Sequence, residues 1–463
     1  MDLPSLAPLH GVTAPPTPAP AAPHANMTEG PVGPMLARLT APMVGGILAT
    51  IGYSVAETWF IGRLGAQALS AVSFTFPVTM VVISLAIGLG AGTSAVVARA
   101  LGAGERDARD LVVDGLLLAA LTGGCAVLLG ELLMGPLFRA MGAPEALMPL
   151  IRSYLVLWFP AAALFMTSII GLSAARAAGD ARFQGIAMAG AAGINVLLVG
   201  PAIFGFWGIP GLGLRGAAVA NLLAWAALLS ATLWRLRSLG LLGGLPGPAR
   251  FMASARRIGR VGVPAAATNT IIPVSAGVVT GILAAYGTEA VAGFGVAGRI
   301  ESLAMVAPFA LSAIMNPFAG QNAGAGRLDR VREAMRLMML FCLAYGAVLA
   351  VGLWLAGPAI AGVFTDDAAV AATVAWYLTI VPISFGASGI IAVVNSGFNG
   401  LDRPGAAVVL SLARMVVVNI PVAWLGGQLF GAPGVFLGVC IANVVVSVGA
   451  AWWVWQATSP PGG

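Results

Sequence analysis

The chain has 463 residues, 59% of them hydrophobic and only 9% charged, and its mean hydropathy is +0.95, a balance that no soluble globular domain of this length shows. Its formal net charge of +6 reflects 23 basic residues, all arginine, so a Walker-type GxxxxGK[ST] loop cannot occur and transport powered by the chain's own ATP hydrolysis is excluded. Cys125, Cys342 and Cys440 fall in separate apolar stretches and the two histidines, His10 and His24, lie near the N-terminus; this spacing suits no metal site, and neither an enzyme nor a cofactor is expected.

Residues 1–33, rich in Pro and Ala, lack a basic start and an apolar segment, and read as a disordered tail rather than a signal peptide. Apolar stretches long enough to cross about 30 Å of hydrocarbon as helix follow one another to residue 457. Twelve spans are predicted, at roughly 39–62, 68–98, 110–137, 148–173, 183–207, 213–234, 258–285, 290–320, 336–363, 370–395, 405–429 and 433–457. Period-two alternation of barrel strands is absent, so the expected class is an all-α integral membrane protein. Most arginines stand in or beside the connections after spans 2, 4, 6, 8 and 10, which by the positive-inside rule predicts that both termini are cytoplasmic. The densest group, Arg235 to Arg260 between spans 6 and 7, is read as this topological signal and not as a nucleic-acid patch.

The chain is also a duplication. At an offset of 222 residues Pro42 meets Pro264, Gly65 meets Gly287, Gly102-Ala103-Gly104 meets Gly324-Ala325-Gly326, Asp180 meets Asp402 and Asn221 meets Asn443. Each copy holds six spans, an even number, so the two copies enter the membrane in the same orientation: two six-helix lobes related by a pseudo-two-fold axis along the membrane normal. The predicted units are a tail at 1–33, a first lobe at 34–236, a basic cytoplasmic linker at 237–257, a second lobe at 258–457 and a tail at 458–463. The Gly-Ala-Gly segments end spans 2 and 8 before polar turns and are read as helix stops.

Few charges lie inside the spans. An ionisable side chain at the bilayer centre costs about 2.5 to 3.5 kcal/mol on insertion scales, so those that persist usually face a bundle interior or a wet cavity. Glu57 lies about 22 Å along span 1 from Pro42, Asn195 about 18 Å into span 5, and Asn221 about 12 Å below the outer surface on span 6, at 1.5 Å per residue. The three can meet at one depth. A carboxylate flanked by amides in a low-dielectric pocket has reason to take up a proton, and the amides equally can offer oxygens to sodium; the alternative for Glu57 is an anchor at the interface beside Arg63. Glu301 in span 8 is two residues from Arg299, on nearly opposite helix faces, so the two cannot pair; a role between helices or a contact with substrate both stay open. Asp114 and Glu131 lie nearer span ends, where solvated or capping roles are expected, and Arg414 completes the set.

The stretches "LTAPMVGG" around Pro42, "AETWFIGRLGAQALSAVSF", "VVARALGAGERDAR" and the later "FAGQNAGAGRLDRV", in this order and with the duplication, resemble the multidrug and toxic compound extrusion (MATE) family over residues 34–457. The resemblance implies a twelve-span antiporter of the bacterial inner membrane with V-shaped lobes, acting as a monomer. It implies export of cationic, amphiphilic compounds in exchange for protons or sodium, with the lipid bilayer as its other partner and no nucleic acid. Glu57 stands where the family has a span-1 aspartate, and Pro42 matches the proline at which span 1 bends. Asn195 is similar to the asparagine of a span-5 N-x-x-x-D motif, and Asn221 takes the polar place after Gly216-Ala217-Ala218. The span-5 acid would fall at Val199 or Gly200, neither of which titrates. Members that use the second lobe carry acids in spans 7 and 10, where this chain offers Thr268, Asn269 and Thr270, then Ser388 and Asn395. Coupling is therefore expected in the first lobe, at Glu57, Asn195 and Asn221, with Pro42 as hinge and Tyr53, Glu301, Asn269 and Asn395 as secondary or cavity candidates. The rival within the superfamily is a flippase for lipid-linked saccharides, which would be expected to have more spans and several arginines lining its cavity; here only Arg299 and Arg414 lie deep.

Overall fold

A computed structural model describes residues 27–105, 107–206, 208–364 and 367–458. The first lobe consists of α1 (Val32–Gly62), α2 (Ala66–Gly102), α3 (Ala108–Ala140), α4 (Met148–Ala177), α5 (Ala181–Phe204) and α6 (Leu214–Ser238), with a two-residue hairpin, β1 (Gly205–Phe206) and β2 (Ile209–Pro210), joining the last two. The second lobe consists of α7 (Pro248–Ala284), α8 (Thr288–Ala304) and α9 (Val306–Gly324) in one bent span, α10 (Leu328–Phe364), α11 (Ala368–Ile380) and α12 (Phe385–Gly400) joined through a 3-10 turn, α13 (Pro404–Leu412) and α14 (Ile420–Phe430) joined through a π-helical segment, and α15 (Ala432–Ala457). Eleven of these helices or joined helices are long and apolar enough to cross a membrane, and the bent α8–α9 pair makes twelve spans.

Every predicted span coincides with one of these, and the boundaries differ chiefly on the arginine-rich face, which carries the start of α1 and the end of α15. There α7 begins at Pro248, α10 at Leu328 and α1 at Val32. Hydropathy marks where apolar side chains end, whereas hydrogen-bonded helix continues past the hydrocarbon as long as arginines and small residues can be solvated. The predicted 237–257 linker is thus mostly helix, with only residues 239–247 between α6 and α7. The predicted 1–33 tail also needs correction at its end: Met27 is buried, and Val32 already starts α1. The reason is polar capture. Gln321 accepts from the Met27 amide at 3.0 Å, and the Arg330 guanidinium donates to the carbonyls of Gly30, Glu29 and Met27. Residues 1–26, with His10 and His24, and 459–463 lie outside the described residues.

The lobes join near the arginine-rich face. There α2 packs along α7 and α9, and α1 along α9, and the seam needs glycine. A Cβ on Gly92 would stand 2.5 Å from the Ile258 carbonyl, and one on Gly88 would stand 2.4 Å from the Ala266 nitrogen. The Gly-Ala-Gly pairs divide their labour. Gly104 and Gly326, at φ +70° and +73°, end their helices in the left-handed conformation as read from the sequence. Gly102 and Gly324 instead let α2 and α9 touch, since a Cβ would lie 2.0 Å from the Gln321 carbonyl or 2.3 Å from that of Arg99. Polar bonds tie the same half: Asn316 to the Ala91 carbonyl at 3.1 Å, Gln321 to that of Ala177 at 2.6 Å, and Arg99 to Asp402 at 2.9 Å.

Asp114 departs from its expected solvated role. It is buried on α3, accepts from Ser254 Oγ at 2.5 Å and pairs with Arg250 at 3.2 Å, which fastens the first lobe to the start of α7.

Candidate transport site

Two polar centres lie deep in the spans, one in each lobe. In the first, the Asn221 amide on α6 donates to Glu57 Oε1 on α1 at 2.6 Å, and Asn195 on α5 donates to Asn221 Oδ1 at 2.9 Å. The depths inferred from helical rise therefore coincide in space. Both asparagines are buried, and Glu57 is half-buried. Asn195 Oδ1 is a buried acceptor with no hydrogen-bond partner among the described residues, on the amide whose Nδ2 holds Asn221. Tyr53, one turn before Glu57 on α1, lies close enough to feel its charge, as does the buried Tyr154 of α4. Tyr154 had no sequence signal, since only the α4 packing brings it here. Arg63 makes no ion pair with Glu57 among the described residues; it lies over the Trp59 ring, 4.6 Å from its centroid.

Pro42 lies inside an otherwise continuous α1. Its ring removes one helical donor, which leaves the preceding turn weakly held. A Cβ on Gly185 would be 2.1 Å from the Pro42 carbonyl, and one on Gly46 would be 2.9 Å from Gly185 Cα, so α1 and α5 touch backbone to backbone at this point. Val199, where the resemblance places a second acid, is fully buried.

The second lobe has a different centre. Arg414 lies in the π-helical segment Ala413–Asn419 and donates from Nε to Asn443 Oδ1 at 2.8 Å and from Nη2 to Ser388 Oγ at 2.7 Å. Asn443 in turn donates to Ser384 Oγ at 2.9 Å. Glu301 accepts from the Tyr377 hydroxyl, and Arg299 is exposed. The sequence flagged Glu301 and Arg414 as charges in spans but held nothing that joined Arg414 to its two polar partners. Of the remaining candidates, Asn269 donates to the Ala265 carbonyl of its own helix at 2.8 Å, and Asn395 donates to Ser411 Oγ at 3.0 Å. Neither joins a polar centre.

The MatE family model matches residues 42–199 and 264–425, and the two matched segments begin at the repeat-equivalent prolines Pro42 and Pro264. Among curated proteins, the chain is 33% identical over 439 residues to the FAD transporter of Shewanella oneidensis, covering 94% of this chain and 97% of that protein. It is 26% identical to the multidrug export protein MepA of Staphylococcus aureus, covering 91% and 93%. Among solved structures, the Vibrio cholerae MATE transporter VcmN in the bent form superposes with a TM-score of 0.88 at 29% identity, covering 92% of this chain and 97% of that one. The duplication, the twelve spans in two lobes and these matches agree: the chain is a multi-pass membrane transporter, not an enzyme, and belongs to the MATE family of efflux transporters.

Proposed function

We propose that the chain is a cation-coupled antiporter of the bacterial inner membrane, with both termini in the cytoplasm, that exports small organic molecules by alternating access. The observation that carries this is the Asn195–Asn221–Glu57 chain of hydrogen bonds, which holds one carboxylate within the spans where its charge has no basic partner among the described residues. On this reading the structure is the outward-open form, closed by the glycine seam on the cytoplasmic side. A proton entering from outside neutralises Glu57, weakens the hold of Asn221, and lets α1 bend at Pro42 and shift along the Gly46–Gly185 contact, which displaces cargo outward. Reopening inward returns the proton to the cytoplasm. One chain contains both lobes, so a monomer suffices.

Sodium is the second reading, favoured by Asn195 Oδ1, which is unpartnered among the described residues, since a hard cation binds to oxygens of this kind. Cargo is framed by the relatives' names. MepA is called a multidrug export protein, and the Shewanella protein an FAD transporter, so organic cations and flavin dinucleotides are the compounds to test.

The experiment is transport in proteoliposomes with imposed pH and sodium gradients. Wild type should export, and Glu57→Gln should insert normally yet lose gradient-driven export. Wild-type export by Glu57→Gln would remove the first lobe from the coupling role.

A further inference from the structure

Asn221 and Asn443 are equivalent by the 222-residue repeat, yet the first holds a carboxylate, Glu57, and the second a guanidinium, Arg414. The duplicated asparagine thus holds opposite charges in the two lobes, carried by helices that the repeat does not pair. We propose that Arg414 is the centre of an anion-binding site in the second lobe that takes the phosphate of a nucleotide-type cargo. The proposal rests on the reading of the chain as an exporter of organic molecules.

Geometry supports it in three ways. First, Arg414 is half-buried and held by two neutral acceptors, Asn443 Oδ1 and Ser388 Oγ. It makes no ion pair among the described residues, because Glu301, the carboxylate whose charge reaches it, is engaged by the Tyr377 hydroxyl. Nη1 has no hydrogen bond among the described residues. A guanidinium fixed on one edge and free on the other is arranged for a planar, charge-assisted contact with phosphate oxygens.

Second, the depth is right. Arg414 is ten residues into its span and Asn443 eleven residues into the next, about 15 Å from opposite faces at 1.5 Å per residue, which places both near the bilayer midplane where transporters of this architecture bind cargo.

Third, the helices break here. The span of Glu301 bends by 50° at Met305, the span of Ser384 and Ser388 passes through the 3-10 turn Val381–Ser384, and the span of Arg414 is π-helical over Ala413–Asn419. The first lobe's six helices carry no such break. Irregular backbone at membrane depth is tolerated where it is buried in protein or lines a cavity, and π-segments cluster at functional sites.

The test is equilibrium binding to the purified full-length protein of three probes: FAD, riboflavin, which has the same ring without phosphate, and the cation ethidium. Wild type should prefer FAD over riboflavin by about tenfold or more, the worth of one charge-assisted hydrogen bond. Arg414→Gln should erase that preference without weakening ethidium binding, since loss of a positive charge does not repel a cation. Glu301→Gln, which removes the competing negative charge, should strengthen FAD binding, a direction that a purely structural role would not produce.

Glu57→Gln should keep the FAD preference while losing transport, so failure of the coupling reading and failure of this one are separable. If Arg414→Gln does not fold, wild type and Glu301→Gln decide. Equal binding of FAD and riboflavin, no saturable FAD binding, a retained preference in Arg414→Gln, or weaker FAD binding in Glu301→Gln would each overturn the proposal. The same assay in nanodiscs of phosphatidylcholine and of phosphatidylglycerol separates cargo from lipid: FAD binding that survives anionic lipid supports the cargo, and its abolition assigns the site to a lipid headgroup instead.

Discussion

Asn221 donates to Glu57 Oε1 at 2.6 Å, across 164 residues of chain. A hydrogen bond to a charged group contributes about 1.5 to 3 kcal/mol, so Asn221→Ala should slow gradient-driven export by roughly tenfold or more while expression and insertion stay at wild-type levels. Initial rates per inserted molecule in proteoliposomes read this directly. Rates equal to wild type would mean that the amide does not serve Glu57.

Asn195 separates the two coupling ions. Its Oδ1 is unpartnered among the described residues while its Nδ2 holds Asn221. Under proton coupling Asn195→Ala costs only positioning, and export should still follow the pH gradient at a reduced rate. Under sodium coupling the same variant loses an oxygen ligand, and the sodium concentration for half-maximal export should rise by roughly tenfold, a loss of about 1.4 kcal/mol. Export measured against sodium at fixed pH distinguishes them.

Asp114 should affect stability and leave coupling alone. It is buried and holds Ser254 and Arg250 at the start of α7, so Asp114→Ala leaves the buried Ser254 hydroxyl without its acceptor, a loss of about 1 to 3 kcal/mol, while Arg250 Nη2 keeps the Gly244 carbonyl at 2.6 Å. Arg250 also pairs with Asp110 at 3.0 Å and is partly solvated, which limits the damage. Thermal melting in detergent should fall by several degrees, and transport per folded molecule should be unchanged. The opposite pattern, normal melting with lost transport, would move Asp114 into the transport machinery.

The first centre was legible in the sequence because each of its residues announces itself: a lone carboxylate and two amides in apolar spans, whose depths follow from a constant rise per residue. The second centre was not. Arg414 stood out as a charge, but Ser384, Ser388 and Asn443 are ordinary small polar residues in two other spans, and the π-helical segment that aims Arg414 contains neither Gly nor Pro to mark it. The glycines show the same division. A left-handed stop at Gly104 is a local property and can be read from the polar turn after it, whereas the reason for Gly102 is the Gln321 carbonyl more than two hundred residues away. Helix ends on the arginine-rich face were missed for a third reason: α7 continues ten residues beyond its predicted start because arginine side chains are solvated there.

The glycine seam predicts a conformational variant. At Gly92 a side chain would meet the Ile258 carbonyl and the Gly262 backbone, so Gly92→Val should overpack the closed seam by about 1 to 3 kcal/mol and shift the population toward the form open on the arginine-rich face by tenfold or more. The reporter is a cysteine at Ala98, which is buried at the seam against Gly320, in a background with Cys125, Cys342 and Cys440 replaced by alanine. A membrane-impermeant maleimide should label it faster in Gly92→Val when applied from that face. Unchanged labelling would show that α2 and α7 do not separate there.

The N-terminal strap should act on the same equilibrium from outside the seam. Residues Met27–Gly30 lead into α1 of the first lobe but bond to the second: the Arg330 guanidinium donates to the carbonyls of Gly30 at 2.7 Å, Glu29 at 3.3 Å and Met27 at 3.4 Å, and Asn322 donates to the Met27 carbonyl at 3.1 Å. These bonds must break if α1 moves away from α9 on the arginine-rich face, so they stabilise the closed seam. Arg330→Ala removes three of these bonds at once, worth about 1.5 to 3 kcal/mol for a charged donor, and should raise maleimide labelling of the Ala98 cysteine by roughly tenfold. Removal of residues 2–30 should do the same with Arg330 intact, because the guanidinium then bonds to water. Faster labelling in Arg330→Ala but not in the truncated chain would place the effect in the Arg330–Asn322 contact within the second lobe, 3.0 Å long, and would deny the strap any part in closure.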